Sequence, residues 1–189
     1  MLRIWHAGYD QRYDRKTNQQ PKYGAIMETN NKIIIRSPLP GELGWIIQVH
    51  GQYYAKKFGW LDEFECIVAK IIVDYLNCEQ HDRQACFIAE LGGKPVGCIM
   101  LMNGGEMEGK LRVMFVSEEA RGKGIGRLLI HSVFEKAKSI GYKSISLWTT
   151  NNQHTARELY KKHGFSLISA TPNETFAKGS NDELWKAEL

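Results

Sequence analysis

The sequence predicts an α/β domain: one mixed, mostly antiparallel, twisted sheet of six to seven strands, with about four helices on its two faces. Three observations lead there. Short apolar runs alternate with stretches of 3.6-residue periodicity. Three of those runs follow one another across a glycine turn and a polar loop, which makes an antiparallel meander. A helical stretch then separates two further runs, the pattern of a right-handed crossover between parallel strands. The 189 residues suffice for one core without disulfides. With 43% hydrophobic and 24% charged residues, the chain is neither wholly disordered, collagen-like nor a coiled coil.

The elements follow in order. Residues 1–31 are polar and without period, an N-terminal extension ahead of a domain spanning 32–189. Residues 32–36 carry Ile33-Ile34-Ile35, a strand ended by Pro38 and Pro40. Leu43, Ile47, His50 and Tyr54 recur at helical spacing, and Phe58-Gly59-Trp60-Leu61 breaks that helix. Asp62 reads as the N-cap of a second helix with Glu65 as its capping-box partner. The stripe of that helix is Phe64, Ile67, Val68, Ile71, Ile72, Tyr75 and Leu76. Strands at 84–90 and 95–102 flank Leu91-Gly92-Gly93-Lys94, and a strand at 110–116 follows a polar loop. A helix then runs to Ser139, with Leu129, Val133, Ala137 and Ile140 on one face and Gly141 at its end. A strand at 144–148, a helix at 155–163 and strands at 165–169 and 184–189 complete the chain.

Charge and cysteine usage narrow the function. Residues 110–163 hold 11 Lys/Arg against 4 Asp/Glu, whereas the rest of the chain holds 14 against 17. A surplus confined to one segment points to an anionic ligand there, not to a nucleic-acid surface. No stretch reads as a signal peptide or membrane span, so a cytoplasmic protein is expected. Cys66, Cys78, Cys86 and Cys98 form no C-x-x-C pair and no zinc spacing, and read as buried reduced thiols. The six histidines are scattered, and no metal site is expected.

The chemistry concentrates in Arg121-Gly122-Lys123-Gly124-Ile125-Gly126-Arg127, between a strand and a helix. Glycines there turn backbone N–H groups toward one point at the positive end of a helix dipole, an anion site that suits a pyrophosphate. A Walker loop is excluded because nothing matches G-x-x-x-x-G-K-[ST]. A dinucleotide fingerprint starting at Gly122 ends on Arg127 and lacks its carboxylate about twenty residues on.

Arg121, Gly124 and Gly126 instead match R-x-x-G-x-G, which resembles the acyl-CoA loop of the GNAT N-acetyltransferase superfamily. Ala156-x-x-Leu159-Tyr160-x-x-x-Gly164-Phe165 resembles the second motif of that superfamily, at the expected distance. Within it, the chain is most similar to the acetyltransferase half of MarR–GNAT fusion proteins. Gly44-Trp45, His50-Gly51-x-x-Tyr54-Ala55, Phe58-Gly59-Trp60, Phe64-Glu65-x-x-Val68-Ala69, Lys110-Leu111-Arg112 and Leu147-Trp148-Thr149 carry that likeness. Only about 31 residues precede the domain, so the DNA-binding part of such fusions is not expected.

The resemblance implies a GNAT-type sheet and direct transfer of acetyl from acetyl-CoA to a primary amine on a small molecule or amino acid, in a ternary complex. It implies cofactor contacts from Met114, Phe115 and Val116, from Arg121, Gly122, Lys123, Gly124, Ile125, Gly126 and Arg127, and from Asn151, Asn152 and Tyr160. Met114 and Val116 would pair with pantetheine, and a backbone N–H near Phe115 or Val116 would face the oxyanion. Tyr160 matches the family's general acid. The motif's asparagine position is Gln153, with Asn151 and Asn152 just upstream. For the base, Glu108 is taken as the candidate beside Glu106, Glu65, His50 and a water chain. His50, Tyr54, Trp60 and Trp148 are the expected acceptor contacts, in a wall that also offers Trp45, Tyr53 and Phe58. A homodimer is an expected assembly. The competing readings are a non-catalytic acyl-CoA-binding module and a protein lysine or N-terminal acetyltransferase.

Overall fold

The structure, a computed structural model, describes residues 32–60, 62–173 and 179–189; the extension at 1–31 lies outside the described residues. The elements are β1 (Ile33–Arg36), α1 (Glu42–Phe58), α2 (Asp62–Asn77), β2 (Ala85–Leu91), β3 (Lys94–Asn103) and β4 (Glu108–Val116). They continue with α3 (Ile125–Ile140), β5 (Ser144–Thr150), α4 (His154–Lys162), β6 (Ser166–Pro172) and β7 (Asn181–Glu188). The strands form one sheet in the order β1-β2-β3-β4-β5-β7-β6. The β4–β5 pair is parallel and the other five pairs are antiparallel, the mixed sheet the sequence predicts.

Strand alternation builds two cores. Cys86, Ile88, Cys98 and Met100 face α1 and α2, meeting Ile46, Tyr54, Phe64, Val68 and Ile72. Ala89, Ile99, Leu101 and Leu111 face the other way, onto Ile125, Leu129, Ile130 and Val133 of α3. Each fully buried aliphatic side chain here contributes about 1.5–3 kcal/mol by leaving water. Arg36 fastens the edge. Its guanidinium donates to Glu42 at 2.7 Å and to Glu90 at 2.7 Å, joining β1, α1 and β2. That bond holds the Glu42 carboxyl below the usual carboxylate range.

Three expectations are corrected. Asp62 is already helical, so it is not the cap, and the preceding position lies outside the described residues. The Glu65 carboxylate leans onto α1, where a Cβ on Gly51 would collide with it. Cys66 is exposed and Cys78 half-buried; only Cys86 and Cys98 are buried thiols. Position 66 falls on the outer side of an amphipathic helix, where its neighbours Glu65 and Ile67 are exposed too.

Two irregularities in β4 shape the site. The β3–β4 register shifts so that Ile99 faces both Val113 and Met114, a bulge with Val113 at φ 43°. The Cys98 thiol donates to the Val113 carbonyl at 3.2 Å behind it. Pairing of β4 with β5 ends at Leu111–Leu147, while β5 continues to Thr150 alongside β7. Past Leu111 the two parallel strands part, and the gap-side backbone groups of β4 have no β5 partner. Among the described residues no helix is long and apolar enough to cross a membrane, and no three metal-ligating side chains cluster.

Candidate active site

A cavity of about 1080 Å³ runs from the glycine loop through the strand gap to the wall made by α1 and α2. The loop forms its first end. Gly122 (φ 76°) and Gly124 (φ 79°) are left-handed, conformations that a Cβ disfavours. Gly124 is the cap of α3 and no side chain caps it. The first-turn N–H groups of α3 therefore have neither helical nor side-chain acceptors, and they sit at the positive end of the dipole. At Gly126 a Cβ would stand 3.0 Å from Leu159 Cδ2 and 3.3 Å from Met114 Cε, so glycine lets α3, α4 and β4 converge. Arg121 donates to the Val116 carbonyl at 3.2 Å and lies 5.0 Å from the Tyr53 ring centroid. Arg121, Gly122, Gly124, Ile125, Gly126 and Arg127 all line the cavity, as do Met114, Phe115 and Val116. Lys123 is exposed and does not. This open N–H cradle with flanking guanidinium groups fits a pyrophosphate, and the strand gap fits an extended chain leading from it.

Tyr160 lines the cavity, 6% exposed, with its ring edge-on to Phe165. Burial pushes its phenol above the ordinary 10.0, so it keeps its proton at neutral pH. Tyr54 of α1 also lines the cavity, and its hydroxyl donates to Gln153 Oε1 at 3.0 Å. Burial raises the Tyr54 phenol as well.

His50 lines the cavity but is buried and stacked on Tyr54. Its Nδ1 donates to the Ile46 carbonyl at 2.8 Å, while Nε2 has no partner. Burial lowers its pKa to about 4, so the ring is neutral and a weak base.

Several expected residues stand elsewhere. Glu108 lies at the start of β4, eight residues before Val116, or roughly 26 Å along a strand. It accepts from Ser146 Oγ at 2.7 Å and pairs with Lys186 at 3.1 Å; the Ser146 bond, first, holds its carboxyl below the usual range. Glu108, Glu106 and Glu65 do not line the cavity, so none is placed to act as its base. Asn151 Oδ1 accepts from the Asn181 backbone, and Asn152 accepts from Thr150 Oγ1 at 2.5 Å. Both amide oxygens bond around the β5–α4 turn, neither asparagine lines the cavity, and Gln153 does. Trp60 is 4% exposed, stacked on Tyr54 and Phe58, and belongs to the core instead of the wall. Trp148 does line the cavity and is over a third exposed.

Sequence reasoning missed part of the lining: Arg112 of β4, Ile67, Lys70, Ile71 and Asp74 of α2, and Asn173 and Asp182 beside the far strands. The signal for Arg112 was present. In a strand with Leu111 facing one core, the next residue must face the other layer.

The sequence profile described as the acetyltransferase (GNAT) family matches residues 51–165. An uncharacterized N-acetyltransferase, MJ1207 of Methanocaldococcus jannaschii, is 32% identical over 120 residues, covering 60% of this chain and 49% of its own. An N-acetylaspartate synthetase of Xenopus tropicalis is 36% identical over 119 residues, covering 61% and 43%. The chain thus spans about half the length of these relatives. Among solved structures, yncA, a putative acetyltransferase from Salmonella typhimurium solved with acetyl-CoA, superposes with a TM-score of 0.68 at 14% identity, covering 83% of this chain and 94% of that one. At that identity the likeness bears on the fold. A profile match over more than half the chain, on a split sheet with its glycine loop, places this protein in the GNAT family of acetyltransferases.

Proposed function

We propose that the protein is an acetyl-CoA-dependent N-acetyltransferase that acetylates a primary amine, on a small molecule or an amino acid, in a ternary complex. The observation that carries this reading is one cavity joining an anion cradle, a strand gap and an aromatic-lined wall, with a protonated phenol in its lining. The named relatives and the acetyl-CoA-bound neighbour support it. So does the finer likeness to the transferase half of MarR–GNAT fusions, for which no DNA-binding role is carried over.

The bound thioester would supply an acyl carbon open to attack. The N–H groups from Gly122 to Arg127 hold the pyrophosphate, with Arg121 and Arg127 adding charge. Backbone groups of Met114 and Val116 orient the pantetheine arm in the gap. A backbone N–H at Phe115 or Val116 faces the oxygen that gains charge. The amine nitrogen forms the new C–N bond as the C–S bond breaks. Tyr160 gives its proton to the departing sulfur, and the nitrogen's surplus proton leaves to water, from which Tyr160 is reprotonated. The proposed setting is the cytoplasm, consistent with four free cysteines.

The test is acetyl-CoA incubated with a panel of amines, read by thiol release and product mass. Amine-dependent release supports the reading. Saturable acetyl-CoA binding with no transfer to any amine, peptide amines included, would replace it with the acyl-CoA-binding module.

A further inference from the structure

Among the described residues, Arg112 lines the acceptor end of the cavity and pairs with no acid. It lies half-buried on β4, facing α2, where Ile67, Ile71 and Trp148 also line the space. Its guanidinium makes one hydrogen bond, to the neighbouring Leu111 carbonyl at 3.2 Å, and no ion pair among the described residues. None of the three carboxylates lining this cavity pairs with Arg112, although Asp182 Oδ1 is buried without a hydrogen-bond partner among the described residues. Asp74 pairs with Lys70 at 3.4 Å, Glu158 with Lys161 at 2.9 Å, and Asp182 accepts from Asn173 at 2.6 Å. Arg112 also lines an adjoining cavity of about 350 Å³, whose charged residues are Asp74, Lys110 and Arg112 itself.

A guanidinium cannot shed its proton, so partial burial without a partner costs free energy until an anion arrives. Burial lowers the Arg112 pKa and no acid offsets it. A planar fork of donors suits a carboxylate, held by two parallel hydrogen bonds. The position lies two to four residues before the β4 groups expected to face the thioester. One small molecule can therefore span both.

We infer that Arg112 binds a carboxylate on the acceptor, so that the substrate class is an amino carboxylic acid and not a simple amine. This rests on the acetyltransferase reading for the amine, whereas the carboxylate contact itself does not need turnover. Ile67, Ile71 and Trp148 give the acceptor's remaining side chain an apolar surface.

The experiment compares matched pairs with and without the carboxylate: leucine against 3-methylbutylamine, phenylalanine against phenethylamine, 4-aminobutyrate against butylamine. In at least one pair the acid should have the higher kcat/KM, by roughly a hundredfold, the size expected for a charge-assisted contact. In Arg112→Gln that ratio should fall toward one, and Arg112→Lys should restore part of it. CoA affinity and the thermal midpoint check that each variant is folded. Equal use of acid and amine, or an unchanged ratio in Arg112→Gln, would overturn the inference while leaving the transferase reading intact. Calorimetry of the matching N-acetyl acids on CoA-loaded protein separates the opposite case. Binding that Arg112→Gln abolishes, in a protein that transfers to no amine, would sink the transferase reading and keep the anion site. No binding and no transfer would sink both.

Discussion

The Tyr54 hydroxyl donates to the Gln153 amide oxygen across 3.0 Å, joining residues 99 positions apart in the chain. The bond links the acceptor-side helix α1 to the cap of α4, the helix that carries Tyr160. Each partner lines the cavity, so the bond ties two of its lining elements together. Tyr54→Phe keeps the ring stack and deletes the donor. The expected cost is about 1 kcal/mol in urea unfolding, with a raised acceptor KM and little change in acetyl-CoA affinity. A variant with unchanged stability and KM would show that the bond neither supports the fold nor sets the cavity.

Tyr160→Phe should lower kcat by about 100-fold and leave CoA affinity within about twofold. Since burial moves the phenol above 10.0, wild-type turnover should show no tyrosine-dependent decline below pH 10. Steady-state kinetics across pH 6–10 checks both. An unchanged kcat in the variant removes the assigned role.

Gly124→Ala should weaken CoA binding about tenfold or more. The residue sits at φ 79°, where a Cβ costs about 1–2 kcal/mol, and the relief of that strain would turn the first N–H groups of α3 away. Isothermal titration with CoA measures it. Equal affinity would mean that the cradle does not depend on this turn.

His50 predicts an acid-sensitive fold. Its native pKa of about 4 lies below the unfolded value of 6.5, so the unfolded chain takes up the proton first. Stability should therefore decline as pH falls from about 6.5 and level off near 4, by about 3 kcal/mol from this residue. Urea midpoints for wild type and His50→Gln between pH 7 and 4.5 should converge as pH drops. A constant difference would mean that the ring is not held neutral. The same pKa predicts no ascending limb near pH 6.5 in the rate profile from this residue.

Much of the sheet was legible because its signals are local. The Gly92-Gly93 turn, the Gly141 stop and the period of Leu129, Val133 and Ala137 need no distant partner to be recognised. The glycine loop was legible for the same reason. The acceptor end was not, because it is assembled across layers. Trp60 and Tyr54 carry the same aromatic signal and both stack on Phe58 within one core, yet only Tyr54 also lines the cavity. Asn151, Asn152 and Gln153 are neighbours in sequence, and only the turn geometry decides which amides bond around the turn and which one reaches Tyr54. The bulge at Val113, which bends β4, depends on a register with β3 that composition does not encode.

The parting of β4 from β5 also makes a line of weakness. Among the described residues, the two halves of the sheet are joined by the short ladder from Glu108–Ser144 to Leu111–Leu147 and by the Lys143 N–H on the Met107 carbonyl at 2.8 Å before it, with α3 packed behind. Beyond that ladder nothing in the sheet itself resists their hinging apart. A ligand backbone lying in the gap would act as a rivet, adding bonds across the seam, so that occupancy and mechanical integrity rise together. The amides of β4 after Leu111 would then be the ones whose hydrogen exchange slows most when the gap is filled.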